Sequence, residues 1–132
     1  MIAGRCAATL DVRHVDDGVR VATCERLAAR AREIATRRTL DLTWTPRLDQ
    51  PAVAMDPALM AALERAARRA DTPVHHVSSG AGHDAMIVAS RMPAAMLFVR
   101  SPAGISHHPD ESVMEEDVAM ALEVGRHFLN EL

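Results

Sequence analysis

The sequence contains no lysine and no tyrosine, and its aromatic side chains are limited to Trp44, Phe98 and Phe128. Proteins that bind single-stranded nucleic acid stack bases on aromatic side chains, and this chain has almost none to offer. All 15 basic residues are arginines, and 18 acidic residues leave a net charge of -3. The arginine pairs lie in helical patterns, where a solvated helix face explains them. Nucleic acid is therefore not an expected partner.

Cysteines and long apolar runs are also scarce. The two cysteines cannot form a disulfide framework. Cys6 lies in a strand pattern and Cys24 in a helix pattern, so we expect both to be small buried hydrophobic residues. The chain begins without a charged segment followed by an apolar one, and it has no apolar run long enough to span a bilayer. These features predict a soluble, cytoplasmic protein without a membrane partner.

The first part of the chain has the pattern of a β-α-β unit. Residues 5–14 alternate between apolar and polar side chains, which predicts a half-buried strand. Residues 16–18 (DDG) predict a turn, and residues 19–38 carry apolar residues at helical spacing. Alternation returns over residues 40–44 and predicts a second strand. A β-α-β unit normally has about this length.

Three prolines between residues 46 and 57 indicate a connector without regular structure. Asp56 and Pro57 form a helix start, with the aspartate as cap and the proline in the first turn. Ser112 and Glu115 have the spacing of a capping box before a final helix. The elements predicted after the connector are a helix over 57–70, a strand over 73–77, a helix over 84–91, a strand over 94–99, a loop over 101–111 and the final helix.

This order predicts an α/β fold with a mostly parallel sheet covered by helices. We therefore divide the chain into residues 1–47, a linker over 48–57, and residues 58–132. The loops after the strands at 73–77 and 94–99 are rich in glycine and histidine. Ligands of open α/β sheets bind beyond the carboxyl ends of the strands, so we expect these two loops to meet at one rim.

Five of the seven histidines lie between residues 75 and 108, which raises the possibility of a metal site. His75 and His76 are adjacent in a predicted strand and face opposite sides. His107 and His108 are adjacent in a loop, and His83 lies in the glycine-rich loop. Spacing alone yields one or two candidate ligands, and an ordinary polar role remains open for each histidine.

Three segments together resemble a known family. They are TLDVRHVD (9–16), SGAGHDA (79–85) and MLFVRSPAGISHHPDE (96–111). In this order and separation they resemble the C-terminal portion of the N-carbamoyl-L-amino acid hydrolases and allantoate amidohydrolases, which belong to the dinuclear-metal, aminoacylase-like peptidases. The resemblance implies that the first 47 residues are half of a small lid or dimerisation domain, and that residues 58–132 are the C-terminal part of the catalytic domain.

The resemblance also implies an activity and a site. The family hydrolyses the C–N bond of a carbamoyl or ureido group with two divalent ions, zinc or manganese, and a bridging water. His107 matches a metal ligand, and Arg13 matches the arginine that binds the substrate's carboxylate with its guanidinium fork. A loop lining the substrate pocket matches Ser79, Gly80, Ala81 and Gly82, and supporting residues around the site match His83, Asp84 and Glu111.

The departures from the family concern the rest of its catalytic machinery. The family's enzymes are roughly three times as long as this chain, by the size that multi-domain enzymes need. The segments that carry most metal ligands, the general base and half of the lid have no counterpart here. We therefore expect an inactive C-terminal fragment that binds no metal stably by itself and forms a dimer through residues 5–47. The missing N-terminal half is a further expected partner. The alternative is a free-standing small binding or metal-binding protein derived from the family.

Overall fold

The structure is a computed structural model that describes residues 3–132. Within that range the regular structure is entirely helical. The α-helices are α1 (Asp17–Arg37), α2 (Pro57–Arg69), α3 (Asp84–Ala89) and α4 (Glu115–Leu129), and a single 3₁₀ turn covers Pro102–Gly104. No helix in this described range has the length and hydropathy needed to cross a membrane.

Helix α1 begins two residues earlier than its apolar pattern predicts. Asp16 is the N-cap, and its carboxylate accepts a hydrogen bond from the Val19 N–H at 3.1 Å. The predicted turn over 16–18 is therefore wrong: Asp17 and Gly18 lie in the first turn of the helix. An aspartate cap satisfies an N–H group that would otherwise lack a partner, and this outweighs the cost of a glycine in the first turn. The helix ends at Arg37, and Thr39 follows in the left-handed region at φ 54°.

Helices α2 and α4 pack against each other and form the main apolar core. The Asp56 carboxylate caps α2 by accepting hydrogen bonds from the N–H groups of Ala58 and Leu59, with Pro57 in the first turn as predicted. The fully buried Ala66 and the nearly buried Val124 meet in this core. Its other members are Ala67, Ala70, Val74 and Phe128. The core is small because alanine supplies most of its side chains.

The predicted capping box of α4 is not formed. Met114 occupies the N-cap position and makes no side-chain cap hydrogen bond. Three acidic residues in the first turn and Arg126 and His127 in the last turn instead complement the helix dipole. At the C-terminal end, the Glu131 carboxylate pairs with Arg65 and Arg69 of α2, the second pair at 3.5 Å. This pairing connects the last turn of α4 to α2.

The four predicted strands are not formed in residues 3–132. The segments 5–14, 40–44, 73–77 and 94–99 carry no ladder hydrogen bonds that would define a strand. The prediction that these segments form a sheet is therefore not confirmed. A strand is stable only when its backbone groups pair with a neighbouring strand, and local alternation cannot supply that neighbour.

The described chain divides between Ala52 and Val53 into two compact units. This division falls within the segment that the sequence analysis treats as a linker. In the first unit the buried side chains of the described residues are Ala28 and Ala35, both on α1. Cys6 is exposed and Cys24 is half-buried, so the prediction that both cysteines are buried is wrong. Burial fails because the segment around Cys6 is irregular and packs against no sheet.

Within the first unit, Arg20 connects α1 to the chain that follows it. Its Nε donates to Asp17 at 2.7 Å, and its Nη2 lies 2.7 Å from Asp49 Oδ1. The hydrogen bond from Arg20 holds the pKa of Asp17 below its ordinary value, with smaller contributions from the arginine's charge and from the Ala52 backbone N–H. The same contacts raise the pKa of Arg20. The segment around residues 49–52 is thus held at the start of α1.

Candidate functional site

The glycine-rich loop over residues 78–83 is closed by a hydrogen bond between two side chains. Ser79 Oγ lies 2.7 Å from His83 Nε2. The same hydroxyl lies 3.1 Å from the Ala81 backbone N, which donates to it, and 3.2 Å from the Ala81 carbonyl oxygen. Ser79 and Gly80 are exposed, and Ala81 and His83 are half-buried. The serine side chain that resemblance places beside a substrate is therefore already engaged within the loop.

The imidazole of His83 is held from a second side by Phe98. The two ring centroids are 5.6 Å apart with an interplanar angle of 67°, which is an edge-to-face contact. His83 is also the N-cap residue of α3, although its side chain makes no cap hydrogen bond. Asp84 is the first residue of α3, where a carboxylate favours the positive end of the helix.

The second candidate loop, over residues 101–111, carries His107 in an unusual backbone conformation. His107 has a φ of 56°, in the left-handed region that side chains other than glycine adopt at some cost. Its backbone N–H donates to Glu111 Oε2 at 2.7 Å, and the Glu111 N–H donates to the His108 carbonyl at 2.9 Å. Glu111 therefore contacts the backbone of His107, and its hydrogen bond stabilises the bend of this loop.

These loops do not bring metal ligands together. Among the described residues, no group of three or more histidine, cysteine, aspartate or glutamate side chains could hold a metal ion. The Glu111 carboxylate is already engaged with a backbone N–H group. A structural or catalytic zinc site takes at least three protein ligands. The residues present do not fit a dinuclear metal centre, and no chemical step through metal ions follows from them.

Arg13 lies in the first unit, in the irregular segment before α1. Its guanidinium donates two hydrogen bonds to the carboxylate of Asp11, with Nε 3.0 Å from Oδ1 and Nη2 2.5 Å from Oδ2. Both side chains are more than half exposed. The hydrogen bond from Arg13 is the main reason that the pKa of Asp11 lies below its ordinary value. A guanidinium fork facing a carboxylate is the geometry that resemblance assigns to this arginine, but here the carboxylate belongs to the chain itself.

The structure thus brings together some of the predicted site residues. Ser79, Ala81 and His83 form one hydrogen-bonded group, and His107 and Glu111 form another, both in the second unit. Arg13 belongs to the first unit. Two contact residues of these groups, Asp11 and Phe98, are not predicted from the sequence. Asp11 stands two residues before Arg13, a spacing that signals a local ion pair, whereas no local pattern signals the ring contact of Phe98.

Comparison with known proteins defines the class first. The sequence matches Peptidase family M20/M25/M40 over residues 5–131, and the chain belongs to this family. The fold of the family is α/β. The match covers both compact units and all of the predicted site residues.

More particular similarity is to amidohydrolases within that class. The chain is 38% identical to an allantoate deiminase of Arabidopsis thaliana over 92% of this chain, and 38% identical to an N-carbamoyl-L-amino acid amidohydrolase of Geobacillus stearothermophilus over 96%. An allantoate amidohydrolase of Escherichia coli is 33% identical over 90% of this chain. These alignments span 25%, 31% and 29% of the relatives, so the chain covers between a quarter and a third of their length.

Proposed function

We propose that this chain is the C-terminal part of a metal-dependent amidohydrolase that cleaves the C–N bond of a carbamoyl or ureido group, and that it does not act alone. One observation carries the proposal: relatives named for allantoate and N-carbamoyl-L-amino acids match nearly the whole chain, yet the chain covers less than a third of each of the three compared above. The substrate class is then a ureido or carbamoyl acid that carries a carboxylate.

The roles of the site residues follow from this proposal. Arg13 binds the substrate's carboxylate, which replaces the Asp11 carboxylate on the guanidinium. Both carboxylates use the same two-pronged guanidinium face. The backbone of residues 79–82 lines the substrate pocket, and His83 and Asp84 support that loop. His107 would contribute one ligand to the family's divalent metal ions, zinc or manganese, when the remaining ligands are supplied from elsewhere, and Glu111 orients its loop. The other ligands come from outside the described residues, which hold no metal-binding group of their own.

Exposed apolar surface supports the need for a partner. In the second unit, Val77, Leu97 and Phe98 in the two predicted strand segments are all exposed. A partner that supplies neighbouring strands would cover these side chains, and the missing N-terminal half of the enzyme is the partner we propose.

The first unit supports a second association, between two copies of this chain. Its exposed large hydrophobic side chains include Leu10 at 54%, Val15 at 66% and Leu40 at 60%. A unit whose buried side chains, among its described residues, are two alanines gains most of its apolar burial from a partner. We propose a dimer through residues 5–47, and light scattering should give a mass of twice 14.3 kDa. A monodisperse monomer at micromolar concentration contradicts this part of the proposal.

The activity is tested by measuring zinc and manganese content together with ammonia release from N-carbamoyl-L-amino acids and allantoate. The purified chain is expected to contain far less than one metal ion per chain and to show no turnover. Turnover with stoichiometric metal would refute the proposal that the chain is inactive alone. One tightly bound ion without turnover, lost on His107→Ala, would favour the alternative of a free-standing metal-binding protein. The cytoplasmic location stays a prediction.

A further inference from the structure

Ser79 and His83 have the arrangement of a nucleophile and its base, independently of any metal. The 2.7 Å distance between Ser79 Oγ and His83 Nε2 is that of a strong hydrogen bond, and it joins two residues of the same short loop. A serine hydroxyl becomes nucleophilic when an adjacent imidazole can accept its proton. This pair lies wholly within the second unit, so it needs no residue from elsewhere.

Three polar groups surround the Ser79 hydroxyl within hydrogen-bonding distance. A hydroxyl has one proton and two lone pairs. Oγ lies 2.7 Å from His83 Nε2 and 3.2 Å from the Ala81 carbonyl oxygen, and in the His83 tautomer that carries its proton on Nδ1 the imidazole accepts the Ser79 proton. The Ala81 N–H donates to one lone pair of Oγ at 3.1 Å. That donor stabilises negative charge on Oγ as the proton leaves.

His83 is oriented by a third group, as a general base requires. The edge-to-face contact with Phe98 fixes the plane of the imidazole at a centroid distance of 5.6 Å. Its backbone lies at the start of α3, and its carbonyl accepts the Met86 N–H at 2.9 Å. Ser79 is exposed, so a small acyl donor can reach Oγ from solvent.

We propose that Ser79 and His83 form an acyl-transfer site that accepts the acyl group of small activated esters. With p-nitrophenyl acetate, Ser79 Oγ forms a bond to the acetyl carbon, the bond to the p-nitrophenolate oxygen breaks, and the Oγ proton moves to His83 Nε2. Water then attacks the acetyl-serine ester and releases acetate. Before this second step His83 releases to solvent the proton that it took from Oγ. It then accepts one proton from the attacking water and donates it to Oγ, and the acetic acid that leaves loses its remaining proton to solvent as acetate.

The test is the rate and the position of acetylation of the full 132-residue chain by p-nitrophenyl acetate, measured by p-nitrophenolate release and by peptide mass mapping. The expected product carries one acetyl group on Ser79. General base catalysis contributes roughly 10²–10⁴-fold, so His83→Gln should slow acetylation of Ser79 by about 100-fold. Ser79→Ala should abolish the p-nitrophenolate release that accompanies acetylation of Ser79. Ser78→Ala is the matched control, because it removes a neighbouring exposed serine and should leave the rate unchanged.

Two further measurements separate a reactive pair from a hydrogen bond that only braces the loop. Far-UV circular dichroism of each variant establishes that its helices are retained. If His83→Gln does not fold, the wild-type chain is acetylated in concentrated urea as the comparison. Unfolding separates Ser79 from His83, so acetylation should then no longer favour Ser79 over Ser78. Equal acetylation of Ser78 and Ser79 in the native chain, acetyl groups only on histidines, or a rate that is unchanged in His83→Gln would each overturn the proposal.

Discussion

Replacement of Val124 by alanine is the most direct test of how the second unit is stabilised. Val124 is 2% exposed and lies on α4 against the fully buried Ala66 of α2. It is the only buried residue larger than alanine among the described residues. If the contact between α2 and α4 provides the stability of this unit, shortening this one side chain should have a large effect.

The magnitude follows from the groups removed. Valine to alanine deletes two methyl-sized groups, and each buried group of this size contributes about 0.8 kcal/mol. The neighbouring alanines are too short to move into the space, so a cavity term adds to the transfer term. We expect Val124→Ala to lower the free energy of unfolding by about 2 kcal/mol. This is a substantial fraction of the roughly 5–15 kcal/mol that stabilises a typical domain.

The assay is urea unfolding followed by far-UV circular dichroism, with Trp44 fluorescence as a separate reporter in the first unit. Leu122→Ala is the control, because it deletes a larger side chain from the same helix at a position that is 70% exposed. Its effect should stay within about 0.5 kcal/mol. An effect of Leu122→Ala as large as that of Val124→Ala would refute the reasoning, since it would place the buried face of α4 on the wrong side.

Two ion-pair predictions address the remaining contacts. Arg20→Gln should raise the pKa of Asp17 towards its ordinary value, measured by NMR titration, because the arginine's hydrogen bond is the main cause of its lowering. A carboxylate whose pKa is lowered by folding stabilises the folded state above its unfolded pKa. The difference in free energy of unfolding between the wild type and this variant should therefore be present at neutral pH and vanish as the pH falls through the folded pKa of Asp17. Glu131→Gln should cost about 0.5–1 kcal/mol in thermal or urea unfolding, because Glu131 pairs with two arginines of α2. Glu123→Gln removes contacts with Arg126 and His127 that lie within α4 itself, so its effect should be smaller, and the reverse order would contradict the assignment.

The helices could be predicted from sequence because their signals are local. The Asp56 cap with Pro57 in the first turn places the start of α2 correctly, and the apolar spacing of the final helix places α4. The difference at α1 is also local: the sequence around Asp16 predicts a turn, although the same side chain can cap a helix. Caps and turns use the same residue types, so the sequence around Asp16 and Gly18 does not distinguish them.

The candidate site was less predictable because its contacts depend on loop conformation. The glycine-rich loop was singled out from its composition, but the hydrogen bond between Ser79 and His83 depends on how residues 80–82 bend. The contact of His83 with Phe98 joins residues 15 positions apart, and no periodic pattern relates them. By contrast, the pairing of Asp11 with Arg13 spans two residues, so its spacing is a local signal from which this ion pair could have been predicted.

The predicted strands fail for a reason that also supports the proposed function. An α-helix satisfies its hydrogen bonds within one segment, whereas a strand depends on a neighbour that is distant in sequence or in another chain. The apolar run over residues 94–99 has the composition of a strand buried on both faces, yet Leu97, Phe98 and Val99 are all exposed. Exposed side chains in a segment whose composition is suited to burial support the proposal that another part of the family's fold covers this segment. The same segment carries the phenyl ring that orients His83, so pairing with a partner would change the surroundings of the glycine-rich loop as well as complete a sheet.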